Sequence, residues 1–166
     1  VEVCNSKYGK NGWLGIAQIW VSGSHIVQGV VKLNDTYFNL AKYNTSAWRQ
    51  FVACQEVGHM FGLDHQDEDF NNPNLGTCMD YTSDPGTNQH PNLHDYEMLE
   101  TIYTHFDSIT TALFGKTSPS QAPEADVSNP REWGKAVRAS RDGKNSLYER
   151  DLGGGHKVFT FVIWAD

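Results

Sequence analysis

The sequence predicts an α+β protein: a mixed β-sheet, two helices and a small β-meander towards the C-terminal end. Three observations carry this. Two apolar runs, 13–21 and 25–33, flank the turn residues Ser22-Gly23-Ser24. Residues 45–61 and 93–107 repeat apolar side chains every three or four positions. Asp142-Gly143 and Gly153-Gly154-Gly155 then separate strand-like runs near the end. A period near two marks strands, and one near 3.6 marks helices.

Residues 1–12 show no helical period. The runs at 13–21 and 25–33 form a hairpin with a slightly long loop. Asn44, Thr45 or Ser46 can cap the helix over 45–61, whose spaced residues are Ala47, Phe51, Cys54, Gly58 and Phe61. Gly62 stops it by taking the left-handed conformation. The stretch 63–91 is polar and broken by Pro73, Pro85 and Pro91, so it reads as a long irregular loop. Such loops are usually functional. The second helix, 93–107, carries Leu93, Tyr96, Leu99, Ile102, Tyr103 and Phe106 on one stripe. Residues 115–130 are a linker by composition. The meander over 131–166 ends in the apolar run 158–164 and is too small to stand alone. The expected organisation is a main domain over 1–114, the linker, and a meander docked on that domain.

Composition excludes several classes. Of 166 residues, 39% are hydrophobic and 12% aromatic, which excludes a wholly disordered chain. No apolar run approaches the roughly 20 residues that a membrane helix needs. The net charge is −7 and no basic stripe occurs, so neither a membrane nor a nucleic-acid partner is expected. The charge is unevenly placed. Between Arg49 and Lys116 there are 11 acids and no Lys or Arg, whereas 131–166 holds seven cations against five acids. The acidic stretch should attract metal ions or basic ligands, unless it is only a solvated surface. Cys4, Cys54 and Cys78 allow one bridge and one spare thiol. With a first residue other than Met and no leader, the chain reads as a processed, secreted protein, expected to be monomeric. Asn34-Asp35-Thr36 and Asn44-Thr45-Ser46 fit glycosylation acceptors.

The informative stretch is Gln55-Glu56-Val57-Gly58-His59-Met60-Phe61-Gly62-Leu63-Asp64-His65. Gln55 and His59, four apart, share one helix face and can meet at one metal ion. Glu56 stands where helical zinc-protease motifs place their general base. Gly62 lets the chain leave the helix sharply, so that His65 returns from another direction. Three ligands with a fourth corner open to water are what a catalytic zinc requires.

This stretch resembles the metzincin clan of zinc endopeptidases, whose pattern H-E-x-x-H-x-x-G-x-x-H it matches at every fixed position but the first. The segment Thr77-Cys78-Met79-Asp80-Tyr81 is similar to the clan's methionine turn. The resemblance covers roughly 13–107 and implies a metzincin-like catalytic domain with Zn2+ held by Gln55, His59 and His65. It makes Glu56 the base that takes the proton of zinc-bound water, and Tyr81 a helper at the oxyanion. Met79 would support the site from below. Gly-Leu-Asp-His at 62–65 looks matrixin-like, and Tyr81 has the spacing of astacin-like and serralysin-like members.

Gln55 is the departure, because the clan has histidine there. Its amide oxygen can bind zinc but donates less strongly than imidazole. Either Gln55 is a working ligand or it marks an inactive site. The retention of Glu56, His65 and Tyr81 argues for the first. The expected function is zinc-dependent endopeptidase on extended peptide or protein substrates. The alternatives are an inactive scaffold that binds peptides or metal, and a hydrolase of small amides. The clan also implies that the strand over 14–21 is an edge above the cleft that pairs with substrate. A Cys54–Cys78 bridge would tie the helix to the methionine turn. Asp67, Glu68 and Asp69 either help to hold Ca2+ or form a solvated acidic loop. His90, His94 and His105 lack partners at ligand spacing. Only 44 residues precede the helix, so either the family is minimal or an N-terminal strand and helix are missing.

Overall fold

Six strands form one mixed sheet: β1 (Glu2–Ser6), β2 (Trp13–Ser22), β3 (His25–Asn34), β4 (Lys135–Ala139), β5 (Asn145–Gly153) and β6 (His156–Trp164). The computed structural model describes residues 1–105 and 129–165. Most of the expected linker, and the end of the second expected helix, therefore lie outside the described residues. The strand order is β1-β3-β2-β6-β5-β4, with β1 parallel to β3 and every other neighbour antiparallel. Three helices accompany it: α1 (Asp35–Phe38), α2 (Ser46–Met60) and α3 (Leu93–Ile102). Among the described residues no helix is long and apolar enough to cross a membrane.

Strand β2 sits at the centre of the sheet, and residues 13–20 along it are all buried. Both of its faces are covered. On one, Ala17 and Ile19 cluster with Met60 of α2; on the other, Trp13 and Ile16 cluster with Trp133 and Val162. Burial on both faces removes the in-out alternation that an exposed sheet would impose. This corrects the expectation of an edge strand over 14–21. Trp13 through Ser22 pair with β6, and Gly15 through Ser22 with β3, so β2 offers no free edge to a substrate.

The C-terminal meander forms with its turns where Gly143 and Gly153–Gly155 place them, but it does more than dock. Its last strand joins β2, and the three strands complete a common sheet. Strand β1 was not legible, because five exposed or half-buried residues carry no apolar pattern.

Helix α2 begins at Thr45, whose hydroxyl accepts from the Trp48 N–H at 3.2 Å, as an N-cap should. Gly62 follows the helix at φ +86°, the conformation that favours glycine. Helix α3 ends at Ile102, short of the expected residue 107, and it is less amphipathic than its stripe suggested. Leu99 and Ile102 pack on the main core, whereas Leu93, Tyr96 and Tyr103 are exposed. A capping box of Asn92 and Asp95 starts it.

Asn34 is fully buried and cannot accept a glycan in the folded chain. Its amide donates to Gly9 O, Asn11 Oδ1 and Trp13 O, and its oxygen accepts from the N–H groups of Tyr8 and Thr36. Asn44 is exposed.

Candidate functional site

Residues of α2 supply one wall of the site and the loop after Gly62 supplies another. Gln55 and Glu56 are fully buried, and His59 is 1% exposed. The Nδ1 of His59 lies 2.8 Å from Leu63 O. A carbonyl only accepts, so Nδ1 carries the proton and Nε2 keeps a free lone pair. That is the tautomer in which metal-binding histidines are usually held. His65 returns towards the helix with its ring centroid 4.7 Å from that of His59, at 84°. Tyr81 closes on the other side, 4.3 Å from the His65 ring. The rings of His59, His65 and Tyr81 thus come together, while Gln55 and Glu56 lie buried one turn earlier on α2.

Several polar atoms of this cluster lack hydrogen-bond partners. Both side-chain atoms of Gln55, both carboxylate oxygens of Glu56 and both ring nitrogens of His65 are buried without a hydrogen bond. An unsatisfied buried polar atom costs about 1–3 kcal/mol, and folded proteins hold few of them. Six such atoms on three residues of α2 and the loop after it fit a group that takes donor electron pairs. Among the described residues no three His, Cys, Asp or Glu side chains form a metal cluster. The donor set that fits a cation here is His59, His65 and the amide oxygen of Gln55. It is neutral, so the nearby carboxyl of Glu56 is the remaining source of negative charge.

Burial opposes charge on the titratable groups of this cluster. Burial raises the Glu56 carboxyl well above its ordinary range. Burial pushes His59 down to about 4, and it lowers His65 further with help from the neighbouring His59 and Arg138. Neutral imidazole is the ligand form. A carboxyl with a raised pKa is suited to taking and returning a proton. Burial, then the charge of Glu68, raises the Tyr81 phenol, so its hydroxyl stays protonated and able to donate.

Two glycines let these groups approach. A Cβ on Gly15 of β2 would sit 2.5 Å from Val52 Cγ1 and 2.7 Å from Glu56 Oε1. A Cβ on Gly58 would sit 2.5 Å from Met79 Sδ, so that glycine lets the buried sulfur press against α2. Cys54 and Cys78 lie at disulfide distance, Cα atoms 5.9 Å apart, and join α2 to the turn that bears Met79; Cys4 is free.

The acidic loop does not converge. Asp67 accepts from Asp69 N, Asp69 from Asn71 N, and Glu68 pairs with Arg138 Nε at 2.8 Å. His90, His94 and His105 are exposed. Phe161 and Arg138 were missed. Phe161 of β6 stacks on His59 at 3.9 Å and 12°. Arg138 of β4 clamps the Asp64 carboxylate through both Nη atoms, next to His65. That contact holds Asp64 below its ordinary range, outweighing the burial that would raise it. A glycine inside an apolar strand was the available signal for Gly15. Nothing local signalled the other two.

Compared with protein-family models, curated proteins and solved structures, the chain finds no match.

Proposed function

We propose that this chain is a zinc-dependent endopeptidase of metzincin type, with its reaction centre at Gln55, Glu56, His59 and His65. The observation that carries the reading is the set of unpartnered, buried polar atoms on Gln55, Glu56 and His65, together with the oriented imidazole of His59. The amide oxygen of Gln55, Nε2 of His59 and a ring nitrogen of His65 would hold the metal. When bound, zinc supplies Lewis acidity and a water acidified towards neutral pH.

The chain's own groups do the rest. The Glu56 carboxylate takes the proton of the attacking water and returns it to the departing amine nitrogen. The Tyr81 hydroxyl donates to the oxygen on which negative charge develops. Leu63 O fixes the His59 ring, and Met79 fills the space below without meeting the substrate. Because β2 lies inside the sheet, an extended substrate has to find its backbone partners elsewhere than along 14–21. A disulfide suits an oxidising compartment, and we place the protein outside the cytosol, as a monomer.

A second reading, a metal- or peptide-binding module without hydrolysis, is favoured by the depth at which the centre is buried. Cleavage of an unfolded protein substrate separates the two. Activity that Glu56→Ala reduces at least a thousandfold, that a chelator abolishes and that added zinc restores is the expected result. Stoichiometric zinc binding without Glu56-dependent cleavage under any condition overturns the endopeptidase reading.

A further inference from the structure

The centre is complete but shut. Gln55 and Glu56 have no exposed surface, His59 is 1% exposed and the His65 side chain 4%. No peptide carbonyl can reach the Glu56 carboxylate unless part of the protein moves. Two side chains of the C-terminal strands contribute to the closure, beside Tyr81 against His65 and Gly15 against Glu56. Phe161 lies flat on the His59 ring and meets the His65 ring at its edge. Arg138 straps the loop that bears His65 by holding Asp64 and Glu68 together.

The Arg138 contact differs in kind from the apolar seam around it, to which Phe161 belongs. Val158, Val162 and Ile163 bury apolar surface along the β2–β6 pairing, which makes that seam permanent. The Arg138 contacts are 32% exposed on the arginine side and 56% and 38% on its two acids. Exposed ion pairs contribute little to stability and weaken in salt. The loop can therefore lift from β4 while β6 stays in the sheet. Charge placement agrees with this. The acidic stretch that should attract cations meets one from its own chain, Arg138 on Asp64 and Glu68, and Arg141 lines the same cleft as Asp67 and Asp69.

We infer that strand β4 and the loop bearing His65 form a built-in cap that keeps the site latent, with Arg138 as its latch and Phe161, fixed in the β2–β6 seam, as the wall against which it closes. The inference rests on Gln55, Glu56, His59 and His65 being one reaction site. Activation is then release of the latch, by an acidic partner that competes for Arg138 or by a cut that frees the strand bearing it.

The test uses the full chain as wild type, Arg138→Ala, Arg138→Lys and Phe161→Leu, each first checked for native circular dichroism. Deuterium uptake at the imidazole C2 of each histidine, read by mass spectrometry on metal-free protein, reports access without requiring activity. Uptake at His59 and His65 should rise at least fivefold in Arg138→Ala and less in Arg138→Lys, whose ammonium cannot clamp a carboxylate with two donors. The exposed His90 and His94 should not change. Uptake at His59 and His65 that is unchanged in both Arg138→Ala and Phe161→Leu overturns the cap. Proteolysis with zinc separates this from the function itself. A gain of tenfold or more in Arg138→Ala, lost again with Glu56→Ala, supports both. Increased access without cleavage supports the cap and overturns the endopeptidase. Wild-type cleavage as fast as that of Arg138→Ala, and dependent on Glu56, overturns the cap and keeps the endopeptidase.

Discussion

Asp80 lies buried directly after Met79, with one oxygen satisfied twice and the other not at all. Its Oδ2 accepts from Leu75 N at 2.8 Å and from Asn88 Nδ2 at 2.9 Å, while Oδ1 has no partner. Burial raises its pKa against the pull of those hydrogen bonds. An acid whose folded pKa is raised favours folding below its unfolded pKa and loses that contribution as pH rises through the folded value. Stability should therefore fall across that window, and Asp80→Asn should flatten the fall. Urea midpoints at pH 4 and pH 7 measure it, and equal slopes in both proteins would show that Asp80 is hydrated. Residue-scale chemistry was legible only where it recurs at fixed spacing. Gln55, Glu56, His59 and His65 announced themselves by their positions on and just beyond a helix. Arg138 and Phe161 could not, since each matters only for what faces it across the fold.

Helix α2 is the element on which the site depends, and it is anchored at several points. Thr45 caps its start, Gly62 turns the chain at its end, and the Cys54–Cys78 pair fixes its middle to the turn of Met79. Closing a loop between residues 24 apart is worth about 3 kcal/mol in the unfolded-chain entropy picture. Replacing both cysteines by serine should lower the unfolding free energy by about that amount in urea titration. A loss under 1 kcal/mol would mean that the bridge is not formed in solution. Helix α2 was readable because caps, period and stop are local signals. Helix α3 was over-extended, since an apolar stripe was taken as buried, yet only its Leu99 and Ile102 reach the core.

At the scale of the molecule, the position of β2 decides what the site can do. Gln18 and Thr160 are 142 residues apart in the chain, yet they pair across adjacent strands at the centre of the sheet. Amide exchange tests this placement directly. Strand β2, flanked on both sides, should exchange slowest, and the outer strands β1 and β4 at least a hundredfold faster. Amides of β2 exchanging as fast as those of β4 would mean that β6 does not pair there. The opposed charges of 50–115 and 131–166 were visible as an imbalance, but their meeting was not.

By itself the sequence determined the α+β class, the hairpin and the helix that bears Gln55, Glu56 and His59. Each of these follows from side-chain periods, caps and glycines acting within a few turns of chain. Only the tertiary structure decided that the strand read as an edge is central, that the meander belongs to the same sheet, and that Arg138 and Phe161 lie against Asp64 and His59. Those facts depend on pairing between segments that are distant in the chain, 74 residues for Arg138 with Asp64 and 142 for Gln18 with Thr160. Such pairing is chosen by total burial and charge complementarity, which no local pattern records.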